Sequence, residues 1–215
     1  MPGRTQVQQA RRDQGPITDR GALRKQALLE AARRVFERKG FIEARVSDIA
    51  KEAEVSHGTF YTYFDTKEAV FEAVSHQVIE AMLESMSIAA PDPDFHGRVR
   101  DSVRRFVLAY RPHSKMIGLM EQVGTFSPEM RALRLELRDT FVKRTQRGIE
   151  RMKELGLADL GLDVEYTAEA LGAMLEHTCY VWFALHHPFD EERMIDSLAA
   201  VWERALSATS APKPG

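Results

Sequence analysis

The residues of this chain whose types and spacing carry chemistry lie between Ser47 and Lys67. Ser47 and Ser56 are each good N-caps, and a helix start leaves backbone N–H groups pointing outward, where they bind phosphate. After Ser56 the chain reads His57-Gly58-Thr59-Phe60-Tyr61-Thr62-Tyr63-Phe64. At about 100° of helix per residue, Phe60 and Phe64 fall on one side with Tyr63 beside them, while Gly58 and Thr62 face away, flanked by Thr59 and Tyr61. The aromatics are expected to anchor such a helix, and the small polar groups to read base edges. Lys67 is placed to neutralise a further phosphate. This is the chemistry of recognising a polyanion.

Bond-making chemistry finds less support. His177 and Cys179 point about 200° apart on a helix, and His186 and His187 are adjacent beside Pro188, so neither pair chelates a metal by itself. Cys179 has no flanking cation within a turn, which suits a packing thiol rather than an activated one. The chain has no Walker loop, GxSxG elbow, HExxH or dinucleotide fingerprint. No catalytic residue, metal or cofactor is expected. Two other readings stay open beside DNA recognition: a helical protein–protein interaction module and, last, an enzyme using a C-terminal pocket.

The elements that must position these residues follow from periodicity and punctuation. Of 215 residues, 44% are hydrophobic and 29% charged, which suits a folded domain. The lone cysteine and an N-terminus without an apolar stretch lead to the expectation of a cytoplasmic protein, and no apolar run is long enough for a membrane span. The net charge of −2 conceals an asymmetry. Residues 1–67 hold thirteen Lys and Arg against nine Asp and Glu, and the remainder holds seventeen against twenty-three. The first part is therefore suited to meet a polyanion.

Residues 1–20, with Arg4, Arg11, Arg12 and Arg20, read as a flexible basic arm whose Arg12 and Arg20 are candidates to follow DNA phosphates. Apolar spacing predicts a helix from Leu23 to Lys39 closed by Gly40, a short helix from the Ser47 cap to Ala53, and another from Ser56 to Phe64. Asp65 with Glu68 is expected to cap a long helix striped by Val70, Val74, Val78 and Met82. Pro91-Asp92-Pro93-Asp94 interrupts it. Helices follow to Tyr110, across a Met-rich segment at 114–124, and from Ser127-Pro128 through Met152. A helix over residues 164–187 is so apolar that it is expected to be covered on every side, and a last helix starts after Asp190. The fold class is all-α, with about nine helices: an N-terminal three-helix helix-turn-helix domain at 21–67, a helical effector-binding and dimerisation domain at 68–207, and a disordered tail at 208–215.

The run from Ile49 through Val70, extended back through Ala31-Ala32-Arg33-Arg34-Val35-Phe36 and Gly40-Phe41, resembles the N-terminal signature of the TetR family of bacterial transcriptional regulators. The likeness covers residues 24–74. It implies that Thr59, Tyr61, Thr62 and Lys67 contact DNA and that Ser47 meets phosphate. Many members carry Lys or Arg where this chain has His57, and His where it has Thr62, departures that bear on base preference.

One short recognition helix touches few base pairs, so specificity needs two copies about 34–36 Å apart on a palindromic operator. Homodimerisation is expected through the last two helices, which by resemblance pair into a four-helix bundle. The candidate interface residues are Leu171, Leu175, Trp182, Leu198, Val201 and Trp202. Met116, Met120, Phe126, Leu137, Phe141, Met174, His177 and Phe183 supply the soft, aromatic and polar groups expected to line a pocket for a small, largely apolar effector. By resemblance the chain is a repressor released from DNA by that effector, with the helix near 66–88 transmitting the change.

Overall fold

The computed structural model describes residues 19–86 and 94–207, and no strand occurs among the described residues. Along them run α1 Asp19–Glu43, α2 Val46–Glu52, α3 His57–Tyr63, α4 Lys67–Ser85, α5 Phe95–Tyr110, α6 Ser114–Phe126, α7 Pro128–Glu154, α8 Val164–Cys179 and α9 Glu191–Leu206. A 3-10 turn at Arg111–His113 joins α5 to α6, and a π-helical turn at Tyr180–Ala184 follows α8. This is the all-α class expected from the sequence. The arm through residue 18, including Arg12, and the tail at 208–215 lie outside the described residues. The chain divides into two compact units, Met1–Phe71 and Glu72–Gly215, so the first turn of α4 belongs to one and the rest to the other.

The first unit closes around Leu28, Ala31, Ala32, Val35, Phe36, Ile49 and Phe60, all fully buried or nearly so. Gly40 breaks α1 with φ 76° and ψ 170°, a left-handed conformation that glycine adopts without steric cost. The break lets Phe41 turn back onto Phe36 and Phe71, with ring centroids 5.9 and 4.8 Å away. Helix α2 is fastened to α1 by ion pairs: Glu52 to Arg34 and Arg38, each at 2.9 Å, and Asp48 to Lys39 at 2.8 Å.

Two helix starts differ from expectation. Ser47 is not the cap of α2: Arg45 is, and Ser47 is the second helical residue. The reason is local, since the Asp48 carboxylate accepts the Arg45 backbone N–H at 3.1 Å and fixes the turn two residues early. At α4 the cap is Thr66 rather than Asp65, because its hydroxyl accepts the Ala69 N–H at 3.0 Å.

In the second unit α5 packs chiefly against α9, and α7 against α6 and α8. Helix α7 starts as the Ser-Pro-Glu signal predicts, with Ser127 Oγ accepting from the Met130 N–H at 3.3 Å and Pro128 in the first turn. It ends at Gly156, φ 69°, where Leu157 N–H bonds the Met152 carbonyl at 2.8 Å and Gly156 N–H bonds that of Lys153 at 3.0 Å. Asp163 and Asp190 cap α8 and α9. Arg100, Arg104 and Arg111 pair with Glu192, Asp196 and Glu191 across the α5–α9 contact.

Within the single chain the helix over residues 164–187 is not covered on every side, because Glu165, Tyr166, Ala170, Ala173 and His177 form an exposed face. It also opens before Pro188: Leu185 N–H reaches back five residues to the Tyr180 carbonyl, and His186 takes φ 58°.

Candidate nucleic-acid interface and cavity

The helix-turn-helix is built from α2, a turn at Ala53–Ser56, and α3. The turn closes by a Schellman arrangement in which Val55 N–H bonds the Ala50 carbonyl at 3.0 Å, Glu54 N–H bonds that of Lys51 at 3.2 Å, and Glu54 takes φ 54°. Ser56 then caps α3, accepting the Thr59 N–H at 3.1 Å, with Thr59 Oγ1 2.9 Å from its hydroxyl. Phe60 and Phe64 are buried, with ring centroids 5.9 Å apart, so the inner side of α3 is locked. The outer side presents His57, Gly58, Tyr61 and Thr62 to solvent, with Thr59 half-buried beside them.

That face is small and polar. A Cβ placed on Gly58 would meet only Ser56 Oγ, at 3.9 Å, so the backbone there is open to close approach. The Thr62 hydroxyl donates to the Gly58 carbonyl at 3.2 Å, which leaves its lone pairs facing outward. The His57 and Tyr61 rings meet edge to face at 5.3 Å and stiffen each other. Ser47, Ser56 and Arg20 are also exposed. Lys67 has an internal role the sequence did not reveal. Its ammonium donates to the Phe41 and Ile42 carbonyls at 2.8 and 3.3 Å and sits 4.4 Å over the Phe41 ring, holding the chain after Gly40.

The second unit contains a cavity of about 170 Å³. Its wall is drawn from Ile79 and Met82 of α4, Phe106 and Tyr110 of α5, Ile117 of α6, Phe141, Thr145, Ile149 and Met152 of α7, Gly172, Leu175 and Glu176 of α8, and Trp202 of α9. Charged groups at the wall are mostly used inside the protein. Arg138 pairs closely with Glu169 and lies 3.5 Å from Glu176, while Arg134 pairs with Glu121 and also lies 3.5 Å from Glu176. Burial raises the Glu176 carboxyl above its ordinary range, against the pull of Arg134. Arg144 donates to the Met86 carbonyl at 2.7 Å. Burial pushes the Cys179 thiol up to about 12, which keeps it protonated and unreactive.

Of the expected lining residues only Phe141 borders this cavity. Met116, Met120 and Leu137 are buried in packing away from it, and Met174 is absent from its wall. Phe126, the last residue of α6, is 53% exposed. Phe183 instead stacks on Trp182 at 4.5 Å, with the Arg111 guanidinium over its ring. His177 borders a separate open polar cleft with Glu121, Arg134 and Tyr180. Soft and aromatic side chains look alike whether they fill a core or bound a void, and helix rotation decides between the two. A usable signal was present in Gly148 and Gly172, mid-helix glycines whose Cβ positions meet nothing within 4 Å. Each costs roughly 1 kcal/mol of helix propensity.

The expected interface residues also divide. Leu171, Leu175, Trp182, Leu198 and Trp202 are buried within the single chain, and Leu175 and Trp202 serve as cavity wall. Val201 is 46% exposed and remains available to a partner.

Comparison with known proteins places both parts of the chain. Residues 28–74 match the family described as bacterial regulatory proteins, tetR family, and residues 99–208 match the C-terminal domain of the transcriptional regulator EthR. The chain is 28% identical over 190 residues to the HTH-type transcriptional regulator EthR of Mycobacterium tuberculosis, covering 86% of this chain and 88% of that protein. It is 26% identical over 208 residues to the EthR of Mycolicibacterium smegmatis, covering 95% and 94%. Among solved structures, a TetR-family regulator from Mesorhizobium loti superposes with a TM-score of 0.75 at 19% identity, over 89% of this chain and all of that one. The Bacillus subtilis regulator FadR, solved with stearoyl-CoA, superposes with a TM-score of 0.68 at 20% identity, over 84% and 98%.

Proposed function

The chain belongs to the TetR family of DNA-binding transcriptional regulators, and from that premise we propose that it is a repressor that grips a palindromic operator as a homodimer and leaves it when a small, largely apolar effector fills the cavity. The observation that carries this reading is the outer face of α3. Gly58, Tyr61 and Thr62 stand exposed on a helix whose opposite side is locked by Phe60 and Phe64. An exposed, polar, rigidly backed face of this size suits a major groove.

In this reading Gly58, Thr59, Tyr61 and Thr62 touch bases, with His57 at their edge. Ser47, Ser56 and Arg20 meet phosphate, and the basic arm with Arg12 extends the contact. The third N–H of the Lys67 ammonium, beyond the two given to Phe41 and Ile42, reaches a further phosphate. Dimerisation uses the outer faces of α8 and α9, where Ala170, Ala173, His177 and Val201 are exposed. No helix among the described residues is long and apolar enough to cross a membrane, and a partner that is chromosomal DNA puts the protein in the cytoplasm. Release follows a population shift: the effector must prefer the form that fits the operator poorly, and its affinity difference sets the response.

The test is selection of bound sequences from a random duplex library, followed by gel shifts over a salt series. A two-fold symmetric site whose binding survives at salt concentrations that abolish non-specific retention is the expected result. Equal loss of all sequences with rising salt, with no symmetric consensus, would overturn the reading.

A further inference from the structure

Helix α3 lacks the side chains that read most bases. Its residues, His57-Gly58-Thr59-Phe60-Tyr61-Thr62-Tyr63, include no Arg, Lys, Asn, Gln, Asp or Glu. In a major groove guanine is read chiefly by Arg or Lys, adenine by Asn or Gln, and cytosine by Glu or Asp, whereas thymine is read by apolar contact with its C5 methyl. Residue type alone leaves α3 the last of these.

The hydrogen bonds around the helix narrow the choice further. The Thr62 hydroxyl donates to the Gly58 carbonyl at 3.2 Å, and the Thr59 and Ser56 hydroxyls lie 2.9 Å apart. Both threonine hydroxyls are thus engaged with their own helix, and the γ-methyl of exposed Thr62 is free to meet a groove. The Thr62 oxygen keeps lone pairs, but adenine and cytosine both offer an amino group to them, so they do not tell the two apart. The Tyr61 hydroxyl and the His57 imidazole can each donate or accept, which selects no base either.

Tyr61 offers its ring instead. It is 49% exposed and stands edge to face with Phe60 at 5.4 Å and His57 at 5.3 Å, so two neighbours hold it in place. A threonine methyl is short and reaches a base only where backbone comes close. Gly58, one turn before Thr62, puts no side chain in the way, and a Cβ there would meet only Ser56 Oγ, at 3.9 Å.

Resting on the operator-binding reading above, we propose that α3 recognises thymine in each operator half-site by apolar contact of the Thr62 γ-methyl and the Tyr61 ring with the thymine C5 methyl.

The probe is the symmetric duplex recovered by selection with the full-length protein, resynthesised with deoxyuridine in place of thymidine at one position and its symmetry mate at a time. Deoxyuridine removes only the C5 methyl. Fluorescence anisotropy at fixed salt should show, at one thymine or more of each half-site, a loss of about fourfold per methyl and about fifteenfold with both half-sites changed, the factors that one and two buried methyls carry. Replacing that thymine by cytosine should weaken binding, and 5-methylcytosine should recover about fourfold of it per half-site. Thr62→Ser keeps the hydroxyl and loses the methyl, so it should bind the thymine duplex more weakly and distinguish thymine from uracil less at one position. Thr62→Val should keep that distinction.

Equal affinity for the deoxyuridine duplex at every position, or selected half-sites without thymine, would overturn the proposal and leave the operator-binding reading standing. An undiminished thymine-to-uracil ratio in Thr62→Ser would overturn the assignment to Thr62. Failure to recover any symmetric duplex would overturn both readings together.

Discussion

On the proposed reading of α3, Gly58 is where recognition and stability pull apart most cleanly. It occupies a helical position, so alanine there should stabilise α3 by up to about 0.5–1 kcal/mol, and its Cβ finds open space. The same methyl would stand on the face offered to DNA. Gly58→Ala is therefore expected to raise the denaturant midpoint of the first unit while weakening operator binding; unchanged binding would take that position out of the interface. Lys67 gives a different pairing of effects. With two backbone carbonyls and the Phe41 ring as partners, Lys67→Ala should cost the first unit about 1–2 kcal/mol. It should also shallow the salt dependence of DNA binding by about one unit. Loss of stability with an unaltered slope would leave Lys67 a purely internal strut. Its carbonyl partners were illegible in the sequence, because Phe41 and Ile42 come close only once Gly40 has turned the chain.

Among the elements, those punctuated by strong local signals were readable in advance. Gly40, Ser56, Ser127-Pro128 and Asp190 act within one helical turn, and each marks the boundary such residues impose. Ser47 and Asp65 failed where a neighbour competed better, through the Asp48 carboxylate in one case and the Thr66 hydroxyl in the other. Which residues border the cavity was illegible for a longer-range reason: a Met or Leu stripe is the same in sequence whichever neighbour its helix rotates toward. The attachment of α2 to α1 does yield a pH prediction. Arg34 and Arg38 hold the Glu52 carboxyl below its ordinary range, and Lys39, with the Arg45 N–H, does the same for Asp48. A carboxyl depressed in the folded state contributes stability above its unfolded pKa, and that contribution is lost as pH falls through the depressed folded value. The protection of the α2 amides, their exchange measured against the intrinsic rate at each pH, should therefore fall below about pH 4, the ordinary carboxylate range. Glu52→Gln should exchange faster than the parent near neutrality and converge with it in acid. A gap that persists undiminished in acid would show that the pairs contribute nothing.

At the scale of the whole molecule, affinity for an operator depends on two reading helices acting together, so the surface that joins two copies matters as much as the face that meets DNA. Burial separates the residues that can form that surface from those already committed. Leu198 and Trp202 face inward on α9, and a charge at either would strike the core and the cavity wall. Val201, one residue from Trp202 and 46% exposed, costs the single chain little when replaced, since surface changes away from special features usually stay within about 0.5 kcal/mol. Val201→Asp is accordingly expected to leave helicity and the unfolding midpoint of the isolated chain nearly unchanged, to halve the mass seen in sedimentation, and to remove salt-resistant binding to a two-fold site while sparing weak, salt-sensitive retention. Sedimentation as a dimer with full operator affinity would move the interface away from this stretch of α9. A monomeric variant that still held the symmetric site would instead mean that the two copies meet on DNA rather than before it.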